Sequence, residues 1–88
     1  NTLVKALARA FRWKRLLEGG NYSSVAELAT AENINESYLC RILRLTLLAP
    51  NIIEQILEGR QPLSFQMVSL LKPFPVEWER QQRELRNN

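Results

Sequence analysis

The run from Ser24 to Leu45, SVAELATAENINESYLCRILRL, leaves the chain few ways to fold. Its apolar residues recur at helical spacing, break at Asn33-Ile34-Asn35, and resume at helical spacing, which predicts two short helices joined by a tight turn. Ser24 and Glu27 make a Ser-x-x-Glu capping box, with Ser24 as N-cap, in which each side chain satisfies the other residue's exposed backbone amide. Val25, Leu28 and Ala29 form the apolar side of the first helix, and the small Ala29 lets the second approach closely. A turn this tight commonly needs one residue at positive φ, and Asn33 is the best non-glycine substitute. Asn35 then caps the second helix, and Ile34 can pack on Leu39 as a hydrophobic staple.

The second helix has two faces. Leu39, Ile42 and Leu43 recur at i, i+3, i+4 and point to a core. Ser37, Cys40, Arg41 and Arg44 lie at i, i+3, i+4, i+7 on the other side, small or basic, where nothing apolar needs burying. That pattern is the one expected of the recognition helix in a helix-turn-helix, running from Glu36 to about Leu45.

The charge is distributed unevenly. The formal net charge is +3 over 88 residues. The first twenty carry Lys5, Arg9, Arg12, Lys14 and Arg15 against Glu18 alone, the middle of the chain is slightly acidic, and residues 50–88 balance. A basic patch on a small domain favours polyanions, nucleic acid first, over the plainer alternative of a solvated helix face.

Several functions are disfavoured by what is missing. There is no histidine and no aspartate, so a His-based triad is impossible within the chain and a metal site has hardly any ligands. One cysteine excludes an intrachain disulfide and makes a reducing cytoplasm the natural setting. No apolar run approaches the ~20 residues that span a bilayer, and no signal-peptide pattern appears, so no membrane partner is expected. No cofactor and no small-molecule substrate is expected either. Ser23, Ser24, Ser37, Ser64 and Ser69 have no activating partners and read as caps and surface. The chain opens Asn-Thr without methionine, as a piece of a longer protein would.

Around the central pair the periodicity predicts further helices. Thr2 to Glu18 carries an apolar stripe of Leu3, Leu7, Ala10 and Leu17, widened by Phe11, Trp13 and Leu16, and stops at Gly19-Gly20. Core packing is preferred to base stacking for Phe11 and Trp13. Lys5, Arg9 and Arg12 sit at i, i+4, i+7 on another face. Pro50 suits the first turn of a helix whose stripe is Ile52, Ile53, Ile56 and Leu57, ended by Gly59. Ser64 opens another, with Phe65, Val68 and Leu71, and Met67 at its margin, facing inward. Lys72-Pro73-Phe74-Pro75 breaks helix. Val76 to Arg86 reads as a loosely packed terminal helix, with Trp78 and Leu85 on one side and otherwise Glu, Arg and Gln. The expected architecture is all-α: one domain over residues 1–88, a compact bundle of five or six short helices containing a helix-turn-helix at 24–45.

The residues Val25-Ala26-Glu27-Leu28-Ala29, Ser37-Tyr38-Leu39, Leu43-Arg44-Leu45, Leu48-Ala49-Pro50 and Gly59 resemble the central DNA-binding region of ParB/KorB-type partition proteins across roughly residues 23–72. In that family the helix-turn-helix is followed by a Leu/Pro linker, a short helix ending in glycine and another short helix. Ser64-Phe65-Gln66-Met67 departs from the family's usual Gly-His-Ala-Arg run, and the family's N-terminal nucleotide-binding part is not here. LVKALARAFRWKRLLE, the central motif, LRLTLLAPNIIEQILEGRQP and LLKPFPVEWE together resemble C-terminal regions attached to some bacterial and phage-type serine site-specific recombinases. That resemblance rests on overall similarity, not on a catalytic signature, and the catalytic serine domain of such a recombinase would lie outside this chain.

The function expected from these readings is sequence-specific binding of double-stranded DNA, without enzymatic activity, in the bacterial cytoplasm at the nucleoid. Ser37, Cys40, Arg41 and Arg44 would face base edges and phosphates, with Asn35 and Glu36 near the helix start. Arg41 or Arg44 could bond bidentately to a guanine, worth about 1–3 kcal/mol of discrimination. Glu36 would accept from a cytosine amino group or simply stabilise the helix start. Tyr38 would reach the backbone through its hydroxyl or pack between helices. Ser24 with the amide end of its helix, and Lys5, Arg9 and Arg12, would touch phosphate. A homodimer, or the rest of a longer polypeptide, is the expected protein partner. The rival reading is a helical protein-interaction or dimerisation module with a basic face.

Overall fold

The structure, a computed structural model, describes residues 2–60 and 70–86. Among these the chain is all-α, with five α-helices and no strand. Helix α1 spans Thr2–Glu18, α2 Val25–Glu32 and α3 Glu36–Leu43; a 3-10 helix follows at Arg44–Leu47, then α4 at Pro50–Leu57 and α5 at Trp78–Arg86. The helix expected from Ser64, with Phe65, Met67 and Val68, lies outside the described residues. At the described end of that stretch Leu70 is helical and buried, and Leu71, expected to face inward, is half-buried.

Three helices stop by one mechanism. After α1 the Asn21 amide donates to Leu16 O (3.1 Å) and the Gly20 amide to Leu17 O (3.3 Å); after α4 the Arg60 amide reaches Gln55 O (2.8 Å) and the Gly59 amide Ile56 O (3.1 Å). After α2 the Ile34 amide reaches Ala29 O (3.0 Å) and the Asn33 amide Thr30 O (3.2 Å). Each pair is a Schellman closure, which requires a left-handed residue at its centre. Gly20 (φ 77°) and Gly59 (φ 73°) supply it at two sites and Asn33 (φ 57°) at the third, as the turn chemistry predicts.

The chain divides into two compact units, Lys5–Thr46 and Asn1–Val4 with Leu47–Asn88. The first contains the buried residues Ala6, Leu7, Ala10, Trp13, Leu28, Ala29, Leu39, Ile42 and Leu45. Trp13 is core, as its place on the stripe implies, whereas Phe11, Leu16 and Leu17 are half-buried at the edge. Burying these apolar side chains contributes about 1.5–3 kcal/mol for each large one.

The second unit contains buried Leu3, Leu48, Ala49, Ile52, Ile56 and Leu70. Pro50 sits in the first turn of α4, where its lack of an amide proton costs nothing. Two expectations change here. Leu57 is exposed: it is the last residue of α4, and Ile52 and Ile56 carry the buried stripe, with Ile53 half-buried. The terminal helix starts two residues later than expected, at Trp78, and it is pinned. Gln81 is fully buried; its Oε1 accepts from the Ala49 amide (2.8 Å), and its Nε2 donates to Leu47 O (2.9 Å) and Pro75 O (2.8 Å). Gln82 Nε2 adds a bond to Asn51 Oδ1 (3.2 Å). A buried amide that spends both ends on backbone groups fixes geometry that apolar packing alone would leave degenerate.

Candidate functional site

The helix pair α2–α3 lies within the unit Lys5–Thr46 and is set by its caps. Ser24 is extended (φ −156°, ψ 163°), and its Oγ accepts from the Glu27 amide at 3.1 Å. The return half of the capping box is replaced: the Glu27 carboxylate takes the Ser23 hydroxyl at 2.6 Å instead. Neighbouring hydroxyl and carboxylate are both exposed at the surface, and an O–H donor to a charged acceptor makes a short, strong bond. Asn35 is extended as well (φ −65°, ψ 132°) and its Oδ1 accepts from the Tyr38 amide at 3.1 Å, which starts α3. Three consecutive residues, one left-handed and one an N-cap, thus reverse the chain between two eight-residue helices.

This geometry divides α3 as its spacing predicts. Leu39 and Ile42 are buried and Leu43 half-buried, while Glu36, Ser37, Cys40 and Arg41 are exposed. Arg44 is half-buried. It closes α3 through its amide bonds to Cys40 O and Ile42 O, and the backbone then tightens into the 3-10 helix. The regular α-helix therefore ends at Leu43, two residues short of Leu45, and Leu45 is buried from the 3-10 segment. Among the described residues neither Arg41 nor Arg44 enters an ion pair. Tyr38 is 37% exposed, so its ring is partly covered and partly open to solvent. Ala26, Ala29, Thr30, Asn33, Ile34, Asn35 and Glu36 line a shallow, open depression along the turn.

The stripe on α1 is less uniform than its spacing. Lys5 and Arg9 are exposed and have no ion-pair partner among the described residues. Arg12 is engaged: its Nη1 donates to Glu32 Oε1 at 2.7 Å, and Trp13 Nε1 donates to the same oxygen at 2.7 Å. Glu32 ends α2, so these bonds tie α1 to α2 within the unit. The Trp13 indole first, and then Arg12 with a smaller contribution from Arg9, hold the Glu32 carboxyl below the usual glutamate range, against partial burial. Glu32 is the residue that sequence reasoning passes over. Its partners stand 19 and 20 positions away, and only its place at the end of an amphipathic helix marks it.

Chemically, the exposed surface of α3 offers a hydroxyl, a thiol, a carboxylate and guanidinium donors, and on the stripe of α1 Lys5 and Arg9 are cations outside any ion pair among the described residues. That set hydrogen-bonds polar edges and anions. No three His, Cys, Asp or Glu side chains converge as a metal site among the described residues, and no described helix is long and apolar enough to cross a membrane. No protein-family model, curated protein or solved structure matches this chain.

Proposed function

We propose that this chain binds double-stranded DNA sequence-specifically, with α2, the turn and α3 as a helix-turn-helix and α3 as the helix that enters the major groove. The observation that carries the reading is the division of α3: Leu39 and Ile42 anchor it, and Ser37, Cys40 and Arg41 stand exposed on its other side. An exposed guanidinium without an acidic partner on a rigidly capped helix is suited to bidentate contact with guanine. Asn35 and Glu36 lie at the helix start, where such motifs concentrate base contacts. Arg44, half-buried at the end of α3, serves as a phosphate or base contact at the groove margin. Ser24 with the first amides of α2, and Lys5 and Arg9 on α1, supply phosphate contacts that orient the motif.

The resemblance to ParB/KorB-type proteins and to C-terminal regions of serine recombinases is what supports reading this activity as part of a larger site-specific recombinase or a partition or regulatory protein of the bacterial nucleoid. Within such a protein the chain recognises the site and any catalysis resides elsewhere. A second reading, a protein-interaction module, is favoured by Trp78, which is 55% exposed at the start of the pinned helix α5. Selection of bound sequences from a random duplex library separates the two. Recovery of a shared motif, bound with steep salt dependence, supports DNA recognition; no binding even at low salt overturns it and leaves the interaction module.

A further inference from the structure

We infer that Glu32 acts as an electrostatic brake on the basic stripe of α1, holding Arg12 away from phosphate so that only Lys5 and Arg9 of that stripe contribute non-specific affinity. The inference rests on the DNA-binding reading and deepens it. Lys5, Arg9 and Arg12 share one helical face, and a polyanion laid along that face would gain from all three. One carboxylate oxygen is placed in this stripe by a different helix and takes both the Arg12 guanidinium and the Trp13 indole at 2.7 Å. Arg12 is still about half exposed, 55% for its side chain, so it is accessible to a phosphate but already neutralised. Glu32 is the better shielded partner, at 24%, and it is anchored by the buried Trp13. The carboxylate is therefore the fixed member of the pair and Arg12 the one that can be released.

Such a brake has a physical use. Phosphate contacts raise affinity for all sequences alike, so removing one weakens binding to every duplex and its dependence on salt without touching the groups that read bases. The Trp13 indole bond to this position would survive loss of the carboxylate charge in a glutamine, which keeps an oxygen acceptor.

The test measures duplex affinity against salt for the chain and for Glu32→Gln, Arg12→Ala and the double variant, with helical content checked by circular dichroism. Glu32→Gln keeps an oxygen for the Trp13 indole but releases Arg12. It should steepen the salt slope by about 0.9, one added phosphate contact, and tighten non-cognate binding about five- to tenfold at roughly 0.1 M salt. Arg12→Ala should leave the slope of the parent chain unchanged, and the double variant should return to it. A parent chain that binds duplex DNA while Glu32→Gln shows the same slope overturns the brake and leaves DNA binding intact. A loss of slope in Arg12→Ala also overturns it, because Arg12 would already be on phosphate. Absence of duplex binding by the parent chain removes both the brake and the DNA-binding reading.

Discussion

Gln81 Oε1 accepts the amide proton of Ala49 at 2.8 Å, so a side chain from the last helix caps the start of α4, thirty-two residues earlier in the chain. Its Nε2 carries two further bonds, to Leu47 O and Pro75 O, and the side chain is wholly buried. A polar residue in that position is stabilising only while all three partners are present, since each backbone group left unpaired in the interior costs about 1–3 kcal/mol. Gln81→Leu matches its volume but satisfies none of them. It should destabilise the unit containing Leu47–Asn88 by about 2–4 kcal/mol in urea denaturation. Gln82→Ala, which removes one exposed bond to Asn51, should cost under about 0.5 kcal/mol.

Asn33 allows the turn itself to be tested. Its φ of 57° is tolerated by asparagine and costs glycine nothing, but a β-branched residue is a severe outlier there. In thermal unfolding Asn33→Gly should keep a stability within about 0.5 kcal/mol of the parent, and Asn33→Val should lower it by about 1–2 kcal/mol. Equal effects of the two substitutions would separate the turn from its backbone conformation.

These two residues mark how far the sequence was legible. Asn33, Ser24 and Asn35 act on amides within five positions, so local chemistry was enough to place two caps and a left-handed turn. Trp13, Leu39 and Ile42 followed from periodicity for the same reason. Gln81 and Glu32 act on groups 6 to 34 positions away, and no local pattern encodes which distant carbonyl or indole will arrive. A signal for Gln81 did exist: it falls three residues after Trp78 and four before Leu85, on the one apolar stripe of an otherwise polar helix. The Ser23–Glu27 bond shows the converse limit, in which an adjacent hydroxyl competes for a carboxylate that the capping-box pattern assigns elsewhere.

Glu32 also makes stability depend on pH. The Trp13 indole bond, reinforced by Arg12, favours the ionised carboxyl in the fold and holds its pKa below the ordinary value. A carboxyl whose pKa is depressed by folding contributes stability that is fully present above its unfolded value, about 4.3, and is lost as pH falls through the lower folded value. Thermal unfolding followed from about pH 7 to about pH 2 should therefore show the parent chain above Glu32→Gln near neutrality and the two converging in acid. The absence of a gap at every pH would mean that the indole bond, which glutamine keeps, and not the charge, carries the stabilisation.

The exposed face of α3 is the decisive place to test recognition. Arg41 is exposed and without an ion-pair partner among the described residues, so its removal should not disturb the fold. Arg41→Ala should weaken binding to a selected site by about 1–3 kcal/mol and relax preference at one base pair. Arg44→Ala should weaken binding by a similar amount, about 1–3 kcal/mol, but its half-buried stem also packs at the end of α3, so its unfolding midpoint should fall slightly. Lys5→Ala should act differently: affinity should drop for every duplex sequence alike, and the salt slope should flatten by about 0.9. Binding isotherms on the selected site and on a scrambled duplex, each at several salt concentrations, distinguish the two behaviours. If Arg41→Ala and Arg44→Ala both bind the selected site as tightly as the parent, α3 does not read the groove, and its exposed face serves some other partner.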